Sequence, residues 1–464
     1  MGTRWIRHDL GSSRCLDGSA AAFYYRPPHG GSNSTQSFVI FLEGGGWCAS
    51  AADCVSRTQT SLGSSKSWPS TSRSPGNGGQ YFEDGKLGGE FSRSGIIHMK
   101  YCDATSFSGS HVKTIRAKHG ALQVGQQRIE QGASTFVHFS GRAILDAALD
   151  ILLHSPSIQM AHATDVLVSG CSAGGLAALL AAEAVHARLK AQGAPLTRFK
   201  VALFSGIFHS PEASPYTRQM KELHRVARMV VPESCARRFG PEESWRCVVG
   251  MQPLESLPRH IPVFIEQSAL DRWQTGCVLG AAPSRFEIVR CSAGAWDRCL
   301  GFMRPLQSPR ARAPKVGHRR LIGRAASQQQ QCTSEQLRSL DDFSTEFMHL
   351  LTSSPALHRP GSGAFIHGCH SHCPSKLSRF VVDGTTLEHA MVQWWRASAD
   401  APAAQHTFVG CLESLSNATP ARCRPACSPL YPWPDERRKI AIRSRAVDMA
   451  LNGEISEELR DPIP

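Results

Sequence analysis

No apolar run in this 464-residue sequence approaches the roughly 20 residues a membrane-spanning helix needs, so no membrane span is expected. The opening Met1-Gly2-Thr3-Arg4-Trp5-Ile6-Arg7 has no apolar stretch of the signal-peptide kind, and Ile6 stands where a myristoylation signal wants Ser or Thr. Internal repeats are absent. Acidic residues are in the minority, 38 against 51 Lys+Arg, for a net charge of +13. Such an excess favours encounter with anionic surfaces. The cations are nevertheless dispersed apart from a cluster at 304–324, which is the pattern of a solvated surface, and no nucleic-acid partner is expected. Regularly repeated Cys-x-x-Cys pairs are also missing. The 16 cysteines therefore read as a disulfide framework formed in an oxidising compartment rather than as zinc fingers. Together with the sequon Asn33-Ser34-Thr35, and a poorer one at Asn417-Ala418-Thr419, this points to a secreted or extracellular protein whose amino terminus is incomplete here.

The 41% hydrophobic content is that of a folded globular chain. Ser37–Leu42 is a β-branched and aromatic run that stops at Gly44-Gly45-Gly46, and it reads as a buried strand. Further strands are expected at 96–101, 165–169, 199–204 and 261–265, with helices at 140–153 and 176–189 between them. This alternation predicts an α/β fold with a mostly parallel sheet covered by helices on both faces. Residues 56–93, rich in Ser, Gly and Pro, read as a long surface loop. Residues 301–331 carry a Pro/Arg-rich stretch and the Gln328–Gln331 run, and read as a disordered basic insertion in a single catalytic domain spanning 1–464. Helical periodicity resumes at 333–351, 380–397 reads as partly helical, and the Cys-, Pro- and Arg-rich residues after Pro420 read as an appendage held by disulfides.

The chemistry concentrates in Gly170-Cys171-Ser172-Ala173-Gly174-Gly175. A serine hydroxyl attacks a carbonyl only when a base takes its proton and donors stabilise the oxyanion. Small residues around Ser172 let a strand reverse sharply into a helix and lift the hydroxyl above the sheet edge. The preceding Val166-Leu167-Val168 and the following Leu176-Ala177-Ala178-Leu179-Leu180 supply that strand and that helix. A phosphate-binding loop occupies the same kind of place, but neither its Gly-Lys-Ser/Thr ending nor a Gly-x-Gly-x-x-Gly spacing is present here. Oxyanion donors are expected from the N–H groups of Gly46, Trp47 and Ala173, because glycine permits close backbone approach. In this architecture an acid and then a histidine follow the nucleophile. Asp271, in Ser268-Ala269-Leu270-Asp271-Arg272-Trp273-Gln274, is the acid candidate, against a surface Asp paired to Arg272. His370 and His372, in Gly368-Cys369-His370-Ser371-His372-Cys373, are the base candidates. The same run offers two Cys and two His to a metal, but the spacing is too tight for one tetrahedral zinc, so neither metal nor cofactor is expected. Trp273, Trp394 and Trp395 read as core aromatics in preference to sugar-stacking rings.

Taken together, these segments resemble the pectin acetylesterase family, which also includes the animal Notum carboxylesterases. The likeness runs through Cys15-Leu16-Asp17-Gly18-Ser19, Leu42-Glu43-Gly44-Gly45-Gly46-Trp47-Cys48, Ser61-Leu62-Gly63-Ser64-Ser65, Tyr101-Cys102-Asp103 and the Gly170–Gly175 elbow. Asp271-Arg272-Trp273-Gln274 and Cys369-His370-Ser371-His372-Cys373 complete it, and it extends to about Cys427. The resemblance implies Ser172 as nucleophile, Asp271 as acid and His372 as base, since the family's histidine directly precedes the cysteine matched by Cys373. It also implies an α/β-hydrolase-like, secreted, disulfide-bonded and metal-independent enzyme. Plant members remove acetyl groups from pectin, whereas Notum removes an unsaturated fatty acyl group from Wnt proteins. The three-glycine loop and the His-Cys ending look more like the plant branch, so an acetylated polysaccharide is the expected substrate and another acyl ester the alternative. Two features depart from the family pattern: the basic stretch 301–331, and Phe204-Ser205-Gly206-Ile207-Phe208, which lacks an expected Asp. Oligomeric state is not legible.

Overall fold

Each β-branched run of the sequence becomes a strand of one sheet, and side-chain alternation divides its residues between two cores. The computed structural model describes residues 4–29, 36–48, 50–76, 79–82, 87–116, 122–124, 127–129, 134–212, 214–279, 334–374 and 376–410. The stretch 301–331, the residues after Pro420 and both sequons lie outside these.

In chain order the first half holds β1 (Trp5–Arg14), β2 (Ala20–Arg26), β3 (Ser37–Leu42), α1 (Ala51–Arg57), β4 (Thr71–Ser72) and β5 (Gly95–Met99). An arm follows, made of β6 (His111–Arg116), β7 (Leu122–Val124), β8 (Gln127–Ile129) and β9 (Ser134–Phe139), and leads into α2 (Gly141–His154). Next come β10 (Asp165–Cys171), α3 (Ala173–Ala191), β11 (Arg198–Phe204), α4 (Pro215–Ala227), α5 (Glu233–Glu243) and α6 (Gln252–Glu255). The remainder is β12 (Val263–Ser268), α7 (Arg272–Cys277), α8 (Ser334–Thr352), β13 (Gly363–His367), the short pair β14 (Val381–Val382) and β15 (Thr385–Thr386), α9 (Leu387–Arg396) and β16 (Thr407–Val409).

Ten strands form the main sheet in the order β16-β13-β12-β11-β10-β3-β5-β2-β1-β4. From β16 to β5 all neighbours are parallel, and β2, β1 and β4 add an antiparallel edge. Because strand residues alternate sides, Phe38, Ile40, Leu42, Val166 and Val168 face the core under α2 and α3. Val39, Phe41 and Leu167 face a second core with Leu387, Met391, Trp394 and Trp395 of α9. The expected α/β architecture with helices on both faces is what forms, and Trp394 and Trp395 are core residues.

The chain order reverses between β3 and β10: β5 lies to one side of β3, and β10 to β13 run out on the other. The carboxyl ends of parallel strands at such a reversal form the crevice where ligands bind in open α/β sheets. Several elements went unforeseen, among them the β1–β2 hairpin, the β6–β9 arm, α1, α4, α5 and β16. Helix α3 also starts at Ala173, directly after Ser172, where the sequence reading began it at Leu176.

Candidate functional site

Ser172 stands between β10 and α3 with φ 60° and ψ −130°. This is a strained conformation for a residue with a side chain, of the kind that concentrates at functional turns. The neighbouring glycines are required by contact: a Cβ on Gly170 would lie 2.1 Å from the Gly174 carbonyl oxygen, and one on Gly174 2.1 Å from that of Leu42. The Ser172 N–H donates to the Phe204 carbonyl at 2.9 Å, which fixes the turn to β11.

Asp271 follows the end of β12 and is fully buried. As N-cap of α7, its Oδ1 accepts the N–H groups of Trp273 at 3.0 Å and Gln274 at 2.9 Å. Its Oδ2 lies 2.8 Å from His372 Nδ1. The alternative of a surface Asp paired to Arg272 is therefore not what the structure contains. With Nδ1–H directed at the carboxylate, the His372 tautomer leaves Nε2 as the lone-pair acceptor. That atom is buried and has no hydrogen-bond partner among the described residues. His370 takes a different place, fully buried with its Nε2 3.3 Å from Thr275 Oγ1.

The covalent link between the Ser172 turn and the His372 loop had no local signature in the sequence. Cys171, immediately before Ser172, is disulfide-bonded to Cys373, immediately after His372, with 5.9 Å between their Cα atoms. Ser172 and His372 are thus each one residue from the same bridge. An Oγ–Nε2 hydrogen bond is not formed in this structure, and such bonds often tighten only around substrate. Since Cys369 is disulfide-bonded as well, neither cysteine of this run offers a thiolate to a metal.

A buried polar network fastens the His372 loop from beneath. Glu266 of β12 accepts from Ser205 N–H at 3.0 Å through Oε2, and its Oε1 lies 2.9 Å from His367 Nε2. Ser205 Oγ in turn accepts the Cys373 N–H at 3.0 Å, and His367 Nδ1 accepts that of Cys369 at 3.2 Å. Ser205 lies in the segment that departs from the family pattern, and it is used here as a link between Glu266 and the His372 loop. Truncating one partner of a buried charged network typically costs about 3–5 kcal/mol. Glu266→Ala is accordingly expected to lower unfolding stability by that order in chemical denaturation; a midpoint unchanged from wild type would refute this weight.

The glycine loop lies against the elbow, since a Cβ on Gly44 would meet the Cys171 carbonyl oxygen at 2.1 Å. None of the N–H groups of Gly46, Trp47 and Ala173 donates a hydrogen bond to a described residue. Glu43, just before the loop, is buried between Lys100, whose Nζ donates at 2.8 Å, and the Tyr101 N–H at 3.0 Å. Burial alone would raise its carboxyl, but His98 and Lys100 outweigh this and hold it below the usual carboxylate range.

Beside the loop, the rings of Trp47, Phe208, Tyr216 and Trp273 pack against one another with all six centroid separations between 5.0 and 6.0 Å. The Trp273 ring also lies 6.3 Å from that of His372. This cluster spans from the glycine loop to His372. A separate cavity of about 500 Å³ opens at the amino-terminal end of β11, lined by Lys190, Arg198, Lys200 and Arg396 among others, away from all of these groups.

Comparison with known proteins identifies relatives of the chain. The family model described as Pectinacetylesterase matches residues 5–299. Pectin acetylesterase 7 of Arabidopsis thaliana is 26% identical over 372 residues, 77% of this chain and 76% of that protein. Pectin acetylesterase 5 of the same plant is also 26% identical, covering 78% of this chain and 71% of its own length. The palmitoleoyl-protein carboxylesterase NOTUM of Homo sapiens is 25% identical over 435 residues, 90% of this chain and 71% of that protein.

Proposed function

This chain belongs to the pectinacetylesterase family of carboxylester hydrolases, and on that footing we propose that it removes acetyl esters from a polysaccharide such as pectin through an acyl-enzyme on Ser172. In this reading His372 Nε2 takes the Ser172 proton as Oγ attacks the ester carbonyl. The N–H groups of Gly46, Trp47 and Ala173 receive the developing oxyanion. The alcohol leaves with the proton from His372, and water, deprotonated by the same nitrogen, then releases the acid. Asp271 holds the imidazole in the required tautomer and stabilises its charged form. The observation that carries the proposal is the 2.8 Å Asp271–His372 pair, tethered to the elbow by the Cys171–Cys373 bridge.

The acetyl preference rests on the aromatic cluster. Phe208 and Tyr216 are almost fully buried and Trp47 nearly so, and their rings pack with Trp273, which lies 6.3 Å from the His372 ring, so in this reading they fill space beside His372 and leave room for a short acyl group. Deacylation of a lipidated protein is the second reading, favoured by the coverage of the NOTUM match. A series of p-nitrophenyl esters separates the two. Acetate and butyrate should be hydrolysed with kcat/KM at least ~10-fold above octanoate and longer esters, since a misfitting methylene is worth about 1–3 kcal/mol. Preference for long chains would overturn the acetyl reading in favour of the second. Acetylated pectin and acetylated xylan, assayed side by side, identify the polymer. The disulfides fit a protein of the secretory pathway, and action outside the cell, on a cell-wall polymer, completes the proposal.

A further inference from the structure

A backbone N–H can serve an oxyanion only if something fixes the plane of its peptide. In a trans peptide the carbonyl of one residue and the N–H of the next point in opposite directions. The directions of the Gly46 and Trp47 N–H groups are therefore set by whatever holds the carbonyls of Gly45 and Gly46. Both carbonyls are held. The guanidinium of Arg57 donates to the Gly45 oxygen, and through the same nitrogen to the Gly46 oxygen at 3.4 Å. Tyr101 donates its hydroxyl to the Gly46 oxygen at 2.8 Å.

We propose that Arg57 and Tyr101 are positioning residues that aim the Gly46 and Trp47 N–H groups at the reacting carbonyl by gripping the opposite ends of those two peptides. This rests on the reading of Ser172 as nucleophile. The grip is itself braced. Arg57 closes α1, whose middle residue Cys54 is joined to the loop by the Cys48–Cys54 disulfide, and its Nε donates to the Leu62 carbonyl at 3.3 Å. The guanidinium also lies over the Tyr101 ring at 5.7 Å. Tyr101 is fully buried, and its oxygen accepts the Ser106 N–H at 3.1 Å. Ser106 Oγ also accepts the Trp47 indole N–H at 2.9 Å, so one short loop supports both the gripping hydroxyl and the gripped residue. Glycine at 46 permits the φ of 66° that this peptide arrangement requires.

The test compares Arg57→Ala, Arg57→Lys and Tyr101→Phe with wild type on p-nitrophenyl acetate. A misaimed N–H weakens binding of the transition state without touching the ground state. Arg57→Ala should therefore lose about 10–100-fold in kcat with little change in KM, a part of the ~10²–10³ that removal of a whole oxyanion donor costs. Tyr101→Phe, which deletes only the hydroxyl, should lose kcat in the same manner, and Arg57→Lys should recover part of the Arg57→Ala loss. Affinity for an acetyl trifluoromethyl ketone, which forms an oxyanion on the serine, should fall in step with kcat/KM. Wild-type kcat in folded Tyr101→Phe and Arg57→Ala, while Ser172→Ala is inactive, overturns the grip alone. Turnover that survives Ser172→Ala overturns the nucleophile and the grip with it. A rise in KM at constant kcat also overturns the grip, because it marks lost ground-state binding.

Discussion

Ser172→Ala is expected to lower turnover of p-nitrophenyl acetate by about 10⁴–10⁶-fold and to abolish labelling by a fluorophosphonate. Its fold should remain intact, because the turn is held by groups other than the hydroxyl. The Ser172 N–H bond to Phe204, the close glycine contacts and the Cys171–Cys373 bridge all survive the substitution. Removal of a hydroxyl that makes no hydrogen bond to a described residue leaves no buried partner unsatisfied. Full activity in the purified variant would require another nucleophile and would end the Ser172 proposal. A stable variant that has lost both activity and labelling is the supporting result.

The two histidines of Cys369–Cys373 should separate cleanly. His372→Ala removes the group facing Asp271, and a loss of about 10⁴-fold or more in kcat is expected, as when a triad member is deleted. His370→Ala should retain turnover within about 10-fold of wild type per folded molecule, because its Nε2 is turned to Thr275 and not to Asp271. The cost at His370 should fall on stability instead, since the side chain is 1% exposed and its loss leaves a cavity. A thermal melt taken alongside the kinetics distinguishes the two. Essential His370 with dispensable His372 would reverse the assignment of the base.

Much of this arrangement was legible because it is written in short-range patterns. Ser37–Leu42 and Asp165–Cys171 are buried on both faces, so their sequences are almost continuously apolar, and the glycine-flanked Ser172 sits at a strand-to-helix change of period. Asp271 and the two histidines were singled out by order along the chain, the preference for His372 over His370 came from the family resemblance, and the structure brings Asp271 and His372 together. Helix α4 was missed although its signals are present: Ser214 caps it, Pro215 opens it, and Tyr216, Met220, Leu223 and Ala227 share its buried face. The β1–β2 hairpin was harder, since β1 alternates irregularly around a bulge. Contacts between distant residues have no local trace at all. Nothing near Cys171 names Cys373 as its partner, nothing near Gly45 names Arg57, and Glu266 meets Ser205 and His367 only once three strands are side by side.

The Cys171–Cys373 bridge has a consequence for how this enzyme can change. Measured along the backbone, Cys171 and Cys373 are 202 residues apart; measured through sulfur, they are neighbours. Lengthening a connecting segment adds closure entropy slowly, about 0.6 kcal/mol for each doubling, and the bridge makes the spacing of Ser172 and His372 indifferent to that length. The surface loops between the two cysteines can thus grow or shrink, while β11, β12 and Asp271 hold their places and Ser172 and His372 keep their separation. The bond works as a fixed ruler inside a chain of adjustable length, which is the circumstance in which one chemistry can be offered to many substrates.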